Sequence, residues 1–211
     1  MRGYLDRAHG GDVLASALSR YRDQPDVVVL GLVRGGVPVA ARVAAALHAP
    51  LDVLVVRKLG VPQQPELAFG ALGPGGVRVL NPEVAGWLDE HVVARVTATE
   101  SAELDRREER YRAGRPPLAL AGRTAILVDD GLATGATAAA AVTVARRLGA
   151  TRVVLAVPVG PPDAVARLSE VADEVCCPLT PPRFGAVSRY YRSFPQVDSA
   201  EVAELLGSGP T

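Results

Sequence analysis

The chain is poor in the residues that build metal centres and disulfide frameworks. Its two cysteines, Cys176 and Cys177, are adjacent, and neighbours in sequence cannot staple distant segments or supply a four-ligand site. They are expected as buried or half-buried thiols in a reducing compartment. The three histidines, His9, His48 and His91, are scattered, so neither a cluster nor a Cys/His spacing points to zinc. Charge of one sign is missing too: 23 Lys and Arg balance 23 Asp and Glu. No global field therefore draws the chain to nucleic acid or an anionic membrane, and any anion site must be local. No apolar run approaches the roughly 18 residues that a membrane span requires. The opening "MRGYLDRAHGG" lacks the apolar core of an export signal, so a cytoplasmic protein is expected.

What is present is a repeating α/β pattern. At 211 residues the chain can bury one sizeable core, and a single domain over 1–211 is expected. Residues 11–22 have the apolar spacing of a helix with one buried face. "PDVVVLGLV" reads as a strand covered on both faces, as parallel strands are. "RGG" breaks it, the alanine-rich "VPVAARVAAALHA" is helical, and "LDVLVVRKL" reads as a second buried strand. That strand-helix-strand unit predicts a right-handed parallel crossover. The cycle resumes with strand "RTAILVD", helix "ATAAAAVTVARRLGA", strand "TRVVLAVPVG", helix "PPDAVARLSEVA" and strand "DEVCCPL". A mostly parallel, doubly wound sheet of about five strands follows.

Two additions interrupt the cycle. Residues 60–76, "GVPQQPELAFGALGPGG", read as a functional loop that includes a short hairpin. Residues 83–112 read as helix broken near Thr97, followed by a break at "RPPLALAG", so the addition spans about 60–115. The charged part carries Leu104 and Tyr111 one heptad apart and a Glu103/Arg107 pair. Its arginines alternate with acids, which leaves no basic stripe for nucleic acid. A tail at about 178–197 holds Phe184, Tyr190 and Tyr191.

The most informative stretch is "ILVDDGLATGAT", residues 126–137. Ligands of open α/β sheets sit beyond the carboxyl ends of the strands, where Asp129 and Asp130 fall. The small residues after them allow successive N–H groups to wrap a phosphate at the next helix start, with hydroxyls from Thr134 and Thr137. Two carboxylates suit the vicinal hydroxyls of a sugar or a shared Mg²⁺. A sugar phosphate satisfies both ends. No "GK[ST]" follows, which argues against a nucleotide P-loop.

This stretch resembles the phosphoribosyl-diphosphate motif of the type I phosphoribosyltransferases. The resemblance implies that Asp129 and Asp130 contact the ribose 2- and 3-hydroxyls and share a Mg²⁺. It also implies that Ala133, Thr134, Gly135, Ala136 and Thr137 cradle the 5-phosphate. "RGG" at Arg34, Gly35 and Gly36 resembles the family's pyrophosphate loop, and "RKLG" places Arg57 and Lys58 where the family holds the leaving group. "RGGVPVA", "RKLG", "PELAFGA", "ELDRREERYR", "YRSF" and an early "DR" resemble a little-characterised stand-alone bacterial branch. The fold so implied is a type I phosphoribosyltransferase-like α/β sheet with an added helical segment and a hood-like tail.

The implied activity is Mg-dependent transfer of phosphoribosyl from its diphosphate to a nitrogen acceptor such as a nucleobase. Glu66 is a candidate general base or metal contact, and Phe184 and Tyr190 are candidates for stacking on the acceptor, with Tyr191 beside them. Branches that act on 6-oxopurines resemble "DDxxDTG", whereas Ala133 stands at the third acid here, which argues against such a base. Two alternatives stay open: a regulatory protein that binds the donor without transfer, and a hydrolase or phosphorylase of a related sugar phosphate. Homodimers are common in the family, and the surface of 83–112 offers room for an interface.

Overall fold

The computed structural model describes residues 3–112 and 114–207, with Pro65 and Glu66 described by their backbone alone. In chain order the helices and strands are α1 (Arg7–Ala17), β1 (Val27–Leu32), α2 (Gly36–Leu47), β2 (Leu51–Leu54), β3 (Arg57–Val61), β4 (Gln64–Gly73) and β5 (Val77–Leu80). They continue as α3 (Pro82–Ala85), α4 (Glu90–Arg112), β6 (Thr124–Val128), α5 (Ala136–Arg147), β7 (Arg152–Ala156), α6 (Pro162–Ser169), β8 (Glu174–Cys176) and α7 (Ser199–Gly207). Five strands form a parallel sheet in the order β2-β1-β6-β7-β8. Every residue of β1 and β6 is buried, because helices cover both faces. One apolar layer joins Leu30, Leu127 and Leu155 to Ala141 and Val144 of α5. The other joins Val29 and Ile126 to Leu14 of α1 and Val43 of α2.

The chain runs from β1 to β2 on one side and later returns to place β6 on the other. The strand order therefore reverses between β1 and β6, and a crevice opens at their carboxyl ends. "RGG" follows β1 and "DDG" follows β6, so this topology brings the two loops together.

The additions differ from the sequence expectation in three places. "LDVLVVRKL" is two strands: β2 pairs with β1 only as far as Leu32↔Leu54, where β1 gives way to its glycine turn. With no ladder beyond that point the chain leaves the sheet, and Arg57 opens β3 of a separate sheet. The supposed functional loop is mostly ordered antiparallel structure, β3-β4-β5. Phe69 of β4 is fully buried with Leu59, Val84 and Leu104; burying a ring of that size contributes roughly 2–3 kcal/mol and anchors the hairpin.

The helical break falls at residues 86–89 instead of Thr97. Asn81 Oδ1 accepts the Glu83 N–H at 3.1 Å to start α3, and Asp89 Oδ1 accepts the His91 N–H at 2.7 Å to start α4. These caps fix the boundary more strongly than one β-branched residue disfavours a helix. α7 was not anticipated; its Val202 and Leu206 are buried in the apolar group that holds Val37 of α2 and Leu104 of α4. Among the described residues no helix is long and apolar enough to cross a membrane.

Candidate active site

The Gly35–Gly36 turn lies directly against the acidic pair. A Cβ on Gly35 would collide with Asp130 Oδ2, and one on Gly36 would collide with the Val128 carbonyl and come within 2.8 Å of Asp129 Cα. Only glycine permits this approach. The peptide bond between Val33 and Arg34 is cis.

Each carboxylate has one oxygen engaged and one left. Asp129 Oδ1 accepts the Asp130 N–H at 2.9 Å. Asp130 Oδ2 accepts from Arg7 of α1, through Nε at 2.9 Å and Nη2 at 2.8 Å. Among the described residues no other residue donates to Asp129 Oδ2 or Asp130 Oδ1. Tyr191 of the tail donates its hydroxyl to the Asp130 carbonyl at 2.6 Å.

Burial, and then the charge of Asp130, push the Asp129 carboxyl well above the usual carboxylate range. Burial also raises Asp130, opposed by Arg7. Burial raises the Tyr191 phenol as well, with the Asp130 carboxylate adding to it. A raised folded-state value means that ionising Asp129 costs stability: the cost is absent below the unfolded carboxylate range and grows as pH rises toward the folded value. Asp129→Asn should therefore stabilise the metal-free protein by about 1–2 kcal/mol at pH 8, discounted for partial exposure, with the gain fading toward pH 4. Thermal melts of both proteins across that interval read this directly; a gain that grows on acidification would contradict it.

Beyond Gly131 the chain turns into α5. Leu132 is buried, and its N–H reaches the Val159 carbonyl at 2.8 Å, which pins the turn. Gly135 takes φ 78° at the helix start, and among the described residues no side chain caps the helix. The Ala136 N–H has only a long 3.4 Å contact to Thr134 Oγ1. Ala133, Thr134 and Thr137 are exposed and no acid occupies the first turn. First-turn N–H groups without internal partners, together with the helix dipole, suit an anion.

The sequence profile of the phosphoribosyl transferase domain matches residues 5–191. The chain belongs to the phosphoribosyl transferase family. A Mycobacterium tuberculosis H37Rv relative, named provisionally as a phosphoribosyl transferase, is 55% identical over 98% of this chain and 47% of its own length. The chain thus spans about half the length of the curated relatives it matches. The crystal structure of a Thermus thermophilus protein superposes with a TM-score of 0.90 at 46% identity, covering 98% of both chains. An Aquifex aeolicus protein, at 11% identity and a TM-score of 0.52 over 85% of this chain and 76% of its own, shares the fold.

In this member of the family the sequence-derived candidates divide into three groups. Arg34, Gly35, Asp129 and Asp130 line one cavity of about 430 Å³, together with Arg7 and Phe194. Arg57, Lys58 and Thr137 line a neighbouring cavity of about 440 Å³. Arg57 is engaged there, with Glu100 of α4 at 2.6 Å, so its charge is largely offset locally. Phe184 and Tyr190 lie apart, stacked on each other at 5.4 Å, with the Tyr190 hydroxyl donated to the Arg183 carbonyl at 3.0 Å. Tyr191 is buried. Among the described residues, Phe194 is the aromatic residue that lines the cavity of the two carboxylates. Glu66 has its backbone in β4, and its side chain lies outside the described residues.

Sequence reasoning assigned no role to Arg7, Glu100 or Phe194, although "DR" and "YRSF" carried two of them. Among the described residues no group of three or more His, Cys, Asp or Glu could hold a metal. The chemistry of the pair nonetheless fits Mg²⁺, which is commonly bound through one or two carboxylates with phosphate and water oxygens completing its shell. Asp129 and Asp130 would hold it.

Proposed function

We propose that the protein transfers the phosphoribosyl group of 5-phosphoribosyl 1-diphosphate to a nitrogen acceptor. The observation that carries this reading is the pair of uncommitted oxygens, Asp129 Oδ2 and Asp130 Oδ1, at the carboxylate end of a loop whose other end is an uncapped helix start. Two adjacent hydroxyls need two acceptors, one from each carboxylate, and the 5-phosphate needs the donors of residues 133–137.

In the transfer, the acceptor nitrogen bonds to C1 as the bond from C1 to the diphosphate oxygen breaks. Positive charge builds on the ribose ring and negative charge on the leaving diphosphate. The two carboxylates stabilise the first through space. Arg34 and the amides of Gly35 and Gly36 stabilise the second, and Arg57 and Lys58 at the neighbouring strand end add to them. When bound, Mg²⁺ supplies charge neutralisation on the diphosphate. Ala133 in place of a third acid favours an acceptor other than a 6-oxopurine.

Calorimetric titration with phosphoribosyl diphosphate tests the donor. Saturable binding is expected with Mg²⁺, weakened at least tenfold by EDTA. Acceptors are then screened by diphosphate release. Binding without release across nucleobases and simple amines would favour a regulatory donor-binding protein. No binding to the folded protein would remove the donor assignment.

A further inference from the structure

Arg7 makes more contacts than charge compensation needs. It opens α1, whose start is fixed by Asp6 accepting the His9 N–H at 2.9 Å, and its side chain is only 10% exposed. Nε and Nη2 both reach Asp130 Oδ2. Nη1 donates to the Pro195 carbonyl at 2.6 Å. The guanidinium carbon sits 3.8 Å from the centroid of the Phe194 ring, which in turn stacks on Tyr191 at 4.8 Å. Tyr191 closes the circuit through its hydroxyl on the Asp130 carbonyl.

The circuit joins three segments distant in sequence: the start of α1, the end of β6 and the tail. It also occupies Asp130 Oδ2 fully, which leaves Oδ1 as the acceptor on offer. A planar guanidinium can meet a carboxylate, a carbonyl and a ring face at once, whereas a lysine ammonium is a point charge that cannot.

We infer that Arg7 is a positioning residue that sets Asp130 for the sugar hydroxyl and, through the same side chain, holds Phe194 and Pro195 as a wall of the donor pocket. This rests on the donor reading above and extends it: donor occupancy and tail order are coupled through Arg7. A donor hydroxyl on Asp130 Oδ1 locks the carboxylate that Arg7 grips, and so restrains the tail.

The test measures donor affinity by calorimetry and hydrogen exchange at the amides of Phe194, Gln196 and Val197. In the native protein, phosphoribosyl diphosphate with Mg²⁺ should slow exchange at these amides. Arg7→Lys should weaken donor binding at least tenfold and speed tail exchange. In an Asp130→Asn background Arg7→Lys should cost clearly less than in the native background, because the part of its effect that passes through Asp130 is already gone; a merely structural role predicts additive losses. Phe194→Leu, which retains the ion pair, should lose the donor-induced protection and serves if Arg7→Lys does not fold. Native-like affinity in Arg7→Lys, additive losses, or tail amides indifferent to donor would each overturn the inference. Absence of donor binding in the native protein is a separate result, which removes the donor reading and this coupling with it.

Discussion

The double variant Asp129→Asn, Asp130→Asn should lose saturable binding of phosphoribosyl diphosphate while remaining folded. Asparagine keeps the shape and one acceptor oxygen of each side chain but removes the charge that makes the hydrogen bonds to the diol strong. Charge-assisted bonds contribute roughly 1.5–3 kcal/mol each. Two of them amount to about 3–6 kcal/mol, or on the order of 10²–10⁴ in affinity, before any loss of Mg²⁺ contact. The fold should survive because the repulsion between two half-buried carboxylates disappears with them. Arg7 loses its ion partner yet keeps the Pro195 carbonyl and the Phe194 ring. Calorimetry beside circular dichroism checks both halves; affinity within threefold of native would exclude the pair as the ribose site.

Gly36→Ala should be the most damaging single-methyl change in the site. The new Cβ meets the Val128 carbonyl and lies 2.8 Å from Asp129 Cα, both backbone of β6 and its exit. Neither can rotate away, so the turn after β1 must lift. We expect a stability loss of about 2–4 kcal/mol and at least tenfold weaker donor binding, because the lifted turn no longer presents its N–H groups to the diphosphate. Gly35→Ala should be milder for the fold: its Cβ meets the end of the Asp130 side chain, which can turn aside by giving up Arg7. Urea melts of the two variants with parallel titrations decide this. Native-like stability and affinity in Gly36→Ala would show that the turn does not rest on β6.

The acidic stretch and its loop were legible in sequence because they are contiguous: a strand, its end, a turn and a helix start are all set by local pattern. The same holds for the buried runs of β1, β6 and β7. Phe184 and Tyr190 stood out as candidates for stacking on the acceptor because composition marks aromatic rings without direction. In the folded chain they stack on each other, and Phe194 takes the place beside the carboxylates. Arg57 was legible as a cation after an apolar run, but its partner Glu100 sits 43 positions later on the helix of the added segment, where no local pattern marks it.

The sequence by itself determined the alternation of buried strands and helices, and the place of the acidic pair and the small-residue loop between a strand end and a helix start. These follow from side-chain period and from glycine, which act over a few neighbours. The tertiary structure alone decided that "LDVLVVRKL" splits between two sheets, since a strand continues only while a partner strand offers hydrogen bonds. It alone decided that Arg7 meets Asp130 and Pro195, across 123 and 188 positions. Contacts at such separations depend on strand order and on how helix and tail cross the sheet edge, and no local pattern of residues encodes that.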